Sequence, residues 1–146
     1  LIPTDDFCVP AGRETKLKFD RVLCDVPCSG DGTLRKNADV WQKWNISNGN
    51  NLHGLQVRIA RRGLEMLAVG GCLVYSTCSL NPVEDEAVIH RLLVESQGKV
   101  ELVEVSDRLP GLRFCRGVKT WKVMNKKLVC FSSPEDVPFE HQSQIR

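Results

Sequence analysis

Apolar positions along this chain form two short, near-continuous runs separated by a stretch of different period. The first run is Val22-Leu23-Cys24-Asp25-Val26-Pro27-Cys28, and it predicts a buried strand over residues 19–26. The second, Cys72-Leu73-Val74-Tyr75-Ser76-Thr77-Cys78-Ser79, predicts another. Over residues 52–69, by contrast, Leu52, Leu55, Ile59, Met66 and Leu67 recur on one stripe at helical spacing. Arg58, Arg61 and Arg62 take other positions, and Gly70-Gly71 is expected to end the helix. Strand, helix, strand in that order predicts a right-handed crossover between parallel strands. Their carboxyl ends then share one edge of the sheet, where open α/β folds bind ligands. Cys28 and Cys78 both fall at that edge, with Asp25 just before the first.

Residues 1–18 hold Pro3, Pro10, Gly12 and mixed charges, and read as a loop or linker. Residues 27–51 turn to Gly, Ser, Asp, Asn, Lys and Trp, a connection long enough to suggest a functional or mobile loop. After the second strand, Asn81 suits a helix cap and Pro82 the first helical position. Glu84, Asp85 and Glu86 then oppose the positive end of the dipole. Ala87, Val88, Leu92 and Leu93 form the expected buried face, and Gly98 the end. Residues 100–105 alternate apolar with acidic side chains, the mark of a half-exposed strand. Past the turn at Pro110-Gly111, residues 121–124 and 128–132 predict a closing antiparallel hairpin. The fold class is α/β, the second half of a doubly wound sheet. It spans residues 19–133, between the 1–18 linker and a polar tail over 134–146.

A length of 146 residues, 42% of them apolar and 26% charged, suits one globular domain rather than a disordered chain. No apolar run is long enough to cross a bilayer, and no charged-then-apolar leader opens the chain. The first residue is Leu1, inside loop-like sequence, so the chain reads as a piece of a longer protein. Seven cysteines, an odd number without zinc-site spacing, fit free thiols in a reducing compartment. His53, His90 and His141 are not spaced as a metal set, and no metal is expected. Between Arg13 and Arg62 ten Lys and Arg face five Asp and Glu, while between Val83 and Leu109 three face seven. A basic half beside the crevice suits a polyanion such as RNA, and equally a solvated surface.

Two thiols and a carboxylate at one strand edge point to covalent chemistry. The stretch Asp25-Val26-Pro27-Cys28-Ser29-Gly30-Asp31-Gly32-Thr33, with Ser76-Thr77-Cys78-Ser79, resembles the Sun-domain family of RNA cytosine-5 methyltransferases. Arg35-Lys36-Asn37, Asp39-Val40-Trp41, Asn81-Pro82, Glu84-Asp85-Glu86, Leu109-Pro110-Gly111-Leu112 and Trp121-Lys122-Val123-Met124 extend the match. The extended pattern looks most like the eukaryotic transfer-RNA methylating branch. The resemblance implies a partial Rossmann-like methyltransferase fold using S-adenosyl-L-methionine, with RNA, transfer RNA in particular, as partner. It also implies an intracellular setting, the nucleus or nucleolus. Carbon 5 of cytosine is a poor nucleophile until a thiolate adds at carbon 6, which is why such chemistry needs a cysteine. A carboxyl suits the acid that must serve ring nitrogen 3.

By the same resemblance Cys78 is the nucleophile and Cys28 assists release of the methylated RNA. Asp25 then lies beside both base and cofactor, and Pro27 beside the cofactor. The family's methyl-donor loop, second acidic cofactor residue and RNA-binding region are expected upstream. The chain alone is therefore expected to be inactive. Arg35 and Lys36 are candidate phosphate contacts or ordinary surface charges. Trp41 and Trp44 can stack on bases or sit in the core, with the core favoured. Cys24, Cys72 and Cys130 are expected to be core residues. Two other readings stand beside the enzyme. A DNA cytosine-5 methyltransferase also uses a Pro-Cys but needs no Thr-Cys partner, and a non-catalytic fragment or paralogue would bind RNA or a partner without methylating it.

Overall fold

The computed structural model describes residues 2–3, 17–125, 127–132 and 136. In chain order the elements are β1 (Ile2–Pro3), β2 (Phe19–Asp25), a 3-10 turn at Asp31–Thr33, α1 (Ala38–Lys43) and α2 (Ile46–Glu65). There follow β3 (Leu67–Ser76), α3 (Glu86–Ser96), β4 (Val100–Glu101), a second 3-10 turn at Ser106–Arg108, β5 (Val123–Met124) and β6 (Cys130–Phe131). Strands β2 and β3 pair in parallel, as the crossover predicted, with Val22 opposite Leu73 and Asp25 opposite Ser76. Their carboxyl ends are level. The expected closing hairpin is present too, with Val123 opposite Phe131. Within the segment expected as a loop, Ile2–Pro3 pairs antiparallel with Val100–Glu101. Cys8, Arg13 and His141 lie outside the described residues.

The crossover helix differs from its prediction at both ends. It begins at Ile46 rather than residue 52 and stops at Glu65 rather than 69. Ser47, Asn48, Gly49, Asn50 and Asn51 are poor helix formers, but tertiary contacts hold the added turn, and Asn50 Nδ2 donates to Met124 O at 3.0 Å. The buried face is also rotated from the predicted stripe: it is Gly49, Gln56, Val57, Ala60, Gly63 and Leu64. Small residues matter there because the helix lies close against the sheet. A Cβ on Gly63 would come within 2.7 Å of both Cys24 Sγ and Leu73 Cδ1.

Gly70 does not cap the helix. It sits inside β3 at φ 76°, in a bulge where the register breaks between Phe19 opposite Leu67 and Arg21 opposite Cys72. Strand α-carbon pairing resumes at Cys72, so the strand starts five residues before its apolar run does. Helix α3 likewise starts at Glu86, preceded by a turn in which Asn81 Oδ1 accepts from Val83 N at 3.1 Å. Asn81 is therefore a cap for a turn rather than for the helix itself. Gln97 and Gly98 close α3, both at positive φ.

One face of the β2–β3 pair is packed by α2 and α3. Ala60, Leu64, Leu73, Val88 and Leu92 are at most 1% exposed there. On the other face Leu23 and Val74, paired across the strands, are 68% and 54% exposed, so the runs expected as buried strands are covered on one side among the described residues. Helices α2 and α3 are also joined at their outer rim, where Glu95 accepts from Arg61 Nη2 and Arg91 Nε, each at 2.5 Å. Burial alone would raise the Glu95 carboxyl, but the two guanidiniums hold it below its ordinary value. Cys24 is in the core as expected, Cys72 is half-buried, and Cys130, expected in the core, is exposed on the two-residue strand β6.

Leu64 is fully buried between α2 and the sheet. Leu64→Ala is expected to lower stability by about 2–5 kcal/mol, the usual range for a leucine cavity. Thermal melting of the full-length protein checks this.

Candidate active site

Level strand ends bring the two thiol-bearing loops together. Val26 N donates to Ser76 O at 3.0 Å, continuing the ladder past β2 before Pro27 ends it. Beyond that point the loops hold each other directly: Gly32 N donates to Cys78 O at 3.0 Å, and Leu80 N to Asp31 Oδ1 at 3.0 Å. Residue 32 must be glycine for this contact, since a Cβ there would lie 2.7 Å from the Cys78 carbonyl oxygen. Cys28 Sγ and Cys78 Sγ end up 3.1 Å apart, and Cys78 N donates to Cys28 Sγ at 3.3 Å. The sequence-predicted pair is assembled.

The two sulfurs are not equivalent. Cys78 is exposed and Cys28 half-buried. Burial, and then the hydrogen bond to the Cys78 side chain, push the Cys28 thiol up to about 11. Cys28 therefore keeps its proton at neutral pH, and Cys78 is the more exposed of the two sulfurs. Asp25 stands at the end of β2, where its Oδ1 accepts from Ser76 Oγ at 2.8 Å. Its other oxygen makes no bond among the described residues, and the side chain is open to solvent. Pro27 is exposed next to it.

Arg35 and Lys36 are exposed after the 3-10 turn that follows Cys28. Trp41, expected in the core, is 76% exposed on α1, because this six-residue helix is anchored by its cap and by Trp44 instead. Asn37 Oδ1 accepts from Asp39 N at 3.2 Å, and Trp44 Nε1 donates to Ser29 Oγ at 2.8 Å. Helix α1 was not foreseen: residues 38–43 lie in the stretch read as loop. His53 has the structural role expected of it, donating from Nδ1 to Val83 O at 2.7 Å.

Glu84 is the residue that sequence reasoning missed. Read only as a carboxylate opposing the helix dipole, it is fully buried. Its Oε1 accepts from Ser29 N at 2.7 Å and Gln56 Nε2 at 3.1 Å. Its Oε2 accepts from Ser29 Oγ at 2.5 Å, Ser79 Oγ at 2.9 Å and Asn81 Nδ2 at 3.4 Å. Burial alone would raise this carboxyl, but the bonds from Ser29, Ser79 and Gln56 outweigh it and hold Glu84 below its ordinary value. The available signal was a serine directly after each cysteine. Two hydroxyls at matching places in facing loops invite a shared acceptor.

Neighbouring Asp85 behaves in the opposite way. Among the described residues it takes one bond, from Thr77 Oγ1 at 2.7 Å, and burial with the nearby charges of Glu86, Glu84 and Asp31 pushes it up to about 6. A carboxyl raised on folding contributes most stability below its unfolded value, about 3.9, and loses that contribution as pH rises through the folded value. Asn at this position keeps the acceptor without the charge. Asp85→Asn is thus expected to stabilise the protein by about 1–2 kcal/mol at pH 8 and to be neutral near pH 4, given a part-exposed group. Melting curves at the two pH values check the sign.

Level parallel strand ends that present an exposed thiol, a protonated thiol and a carboxylate offer the groups that nucleophilic covalent chemistry needs. Comparison with known proteins narrows this. The profile of the family described as 16S rRNA methyltransferase RsmB/F matches residues 4–119, and the chain belongs to that family. It is 54% identical over 138 residues to a tRNA (cytosine(34)-C(5))-methyltransferase of Drosophila melanogaster, covering 94% of this chain and 18% of the relative. A multisite-specific tRNA:(cytosine-C(5))-methyltransferase of Schizosaccharomyces pombe is 54% identical over 120 residues, 82% of this chain and 18% of its own length. Ribosomal RNA small subunit methyltransferase F of Escherichia coli is 38% identical over 93 residues, 64% of this chain and 19% of its own length. The chain thus spans about a fifth of the length of the curated relatives it matches.

Proposed function

We propose that this protein methylates carbon 5 of cytosine in RNA, transfer RNA by the names of its nearer relatives, through a covalent adduct on Cys78. The observation that carries the reading is the 3.1 Å contact between an exposed Cys78 and a half-buried Cys28 at level strand ends. The parallel pair with its crossover helix is read as the second half of a Rossmann-like methyltransferase sheet.

Cys78 attacks carbon 6 of a base drawn out of its stack, since a stacked base cannot reach a side chain at a strand end. Asp25 orients the ring and serves nitrogen 3 as charge develops there. S-adenosylmethionine, when bound, supplies an electrophilic methyl group. Its fit to this chain rests on Asp25 at the end of β2 and on exposed Pro27 beside it. Once solvent water has taken the carbon 5 proton, that C–H pair re-forms the 5,6 double bond and the electron pair of the sulfur–carbon bond returns to Cys78. Cys28, still protonated and in contact with that sulfur, donates to it as it departs and so assists release. Exposed Arg35 and Lys36 serve as phosphate contacts on the same loop, and exposed Trp41 as a stacking surface. A reducing intracellular setting, the nucleus or nucleolus, belongs to the same reading, because both thiols must stay free.

With the full-length protein and a cytosine-containing transfer RNA, Cys78→Ala is expected to abolish both methylation and the adduct. Cys28→Ala is expected to leave an adduct that resolves slowly. Denaturing gels read both. An adduct with Cys78→Ala and none with Cys28→Ala would exchange the roles and favour the DNA-type mechanism.

Asp25→Asn should keep the fold and lower the methylation rate by about 10²–10⁴, the scale of a lost general acid or base. Single-turnover methyl incorporation measures it. Near wild-type turnover would remove Asp25 from the reaction.

A further inference from the structure

Each reactive cysteine is followed by a serine, and both serines end on the same buried carboxylate. Ser29 Oγ donates to Glu84 at 2.5 Å and Ser79 Oγ at 2.9 Å. Neither hydroxyl is free to turn round. Ser29 Oγ already accepts from Trp44 Nε1 at 2.8 Å, and Ser79 Oγ from Asn81 N at 3.0 Å. Each gives its own proton to residue 84, and both meet the same oxygen, Oε2, while Oε1 accepts from Ser29 N and Gln56 Nε2. Only an acceptor-only group takes donors on both oxygens, and an amide would set its N–H₂ against one pair or the other.

We propose that Glu84 is a positioning residue that holds Cys28 and Cys78 at reacting distance through two separate arms, Ser29 for Cys28 and Ser79 for Cys78. The inference rests on the methyltransferase reading given above. Adjacent α-carbons lie about 3.8 Å apart along a trans chain, so fixing each serine fixes the cysteine before it to within one rigid peptide. The arms differ in their other supports. Ser29 also donates its backbone N–H to Glu84 at 2.7 Å, and Pro27 O accepts from Gln56 Nε2 at 3.0 Å, so the Cys28 loop is tied on both sides. Ser79 holds the Cys78 loop through its hydroxyl, with Thr77 Oγ1 accepting from its N–H at 3.0 Å. The anchor itself has little room to move: a Cβ on Gly49 would meet Glu84 Oε2 at 2.9 Å.

Separate arms predict separate kinetic effects. If Cys78 forms the adduct and Cys28 assists its release, loosening one arm slows one step. A merely structural network would lower stability and slow both steps together. The experiment follows adduct formation and decay on denaturing gels, with thermal melting, for Ser29→Ala, Ser79→Ala and Glu84→Gln in the full-length protein. A cytosine-containing transfer RNA transcript is the probe. Ser79→Ala is expected to slow adduct appearance about tenfold with decay unchanged, and Ser29→Ala to lengthen adduct lifetime about tenfold with appearance unchanged, the scale of a lost supporting contact. Glu84→Gln should lengthen adduct lifetime in either amide orientation, since its N–H₂ then faces Ser29 N or the two hydroxyls. Should that variant not fold, the two serine variants decide the matter by themselves. Equal effects on both steps, tracking the fall in melting temperature, overturn the inference, as does no effect on either. Failure of the underlying reading shows differently: Cys78→Ala would then still form the adduct, whatever the serines do.

Discussion

A carboxylate buried among five donors is the constraint on which the rest of this site depends. Glu84 receives Ser29 N, Ser29 Oγ, Gln56 Nε2, Ser79 Oγ and Asn81 Nδ2. Removing a charge from water is expensive unless it is fully hydrogen-bonded, and here the donors come from β2's following loop, from α2 and from β3's following loop. The charge can be satisfied only when those three segments are in place together. Its burial therefore reports, and enforces, the assembly of the two cysteine loops.

Asp85 shows the same physics with the opposite result. Adjacent in sequence to Glu84, it has one donor rather than five, so desolvation wins and the group is pushed up to about 6. The number of donors that reach each oxygen decides which carboxyl keeps its charge. Cys28 follows the rule as well: burial and its neighbour's side chain leave it protonated, while the more exposed Cys78 faces the crevice. A donor thiol and an accessible one, in contact, suit addition followed by expulsion.

Close packing transmits this order from the core to the edge. Helix α2 presents glycine and alanine to the sheet, which lets Gln56 reach both Pro27 O and Glu84 from a fully buried position. Gln56 Oε1 is buried with no hydrogen-bond partner among the described residues, while Nε2 serves the network. The β3 bulge at Gly70 resets the register so that Asp25 and Ser76 come level, and Ser76 then orients the carboxylate.

Much of this was legible in the chain. Apolar runs of strand length around a helical period fixed the parallel pair and its crossover, because burial of alternating or striped side chains is a local property of sequence. The meeting of Cys28, Cys78 and Asp25 at one edge was likewise readable, since strand ends in such a sheet converge there. What sequence could not decide was set by contacts between distant segments. Residues 46–51 are helical, against their own propensities, with Gly49 close beside Glu84 and Asn50 bonded to Met124. The buried face of α2 was misphased because glycine, alanine and glutamine carry little hydrophobic signal, though close approach favours them. Trp41 is exposed because Trp44, not Trp41, finds a polar partner. Glu84 looks like any acidic residue at a helix start until the fold brings two serines to it. A carboxylate's burial depends on donors supplied from elsewhere in the chain, and only the tertiary structure says whether they arrive.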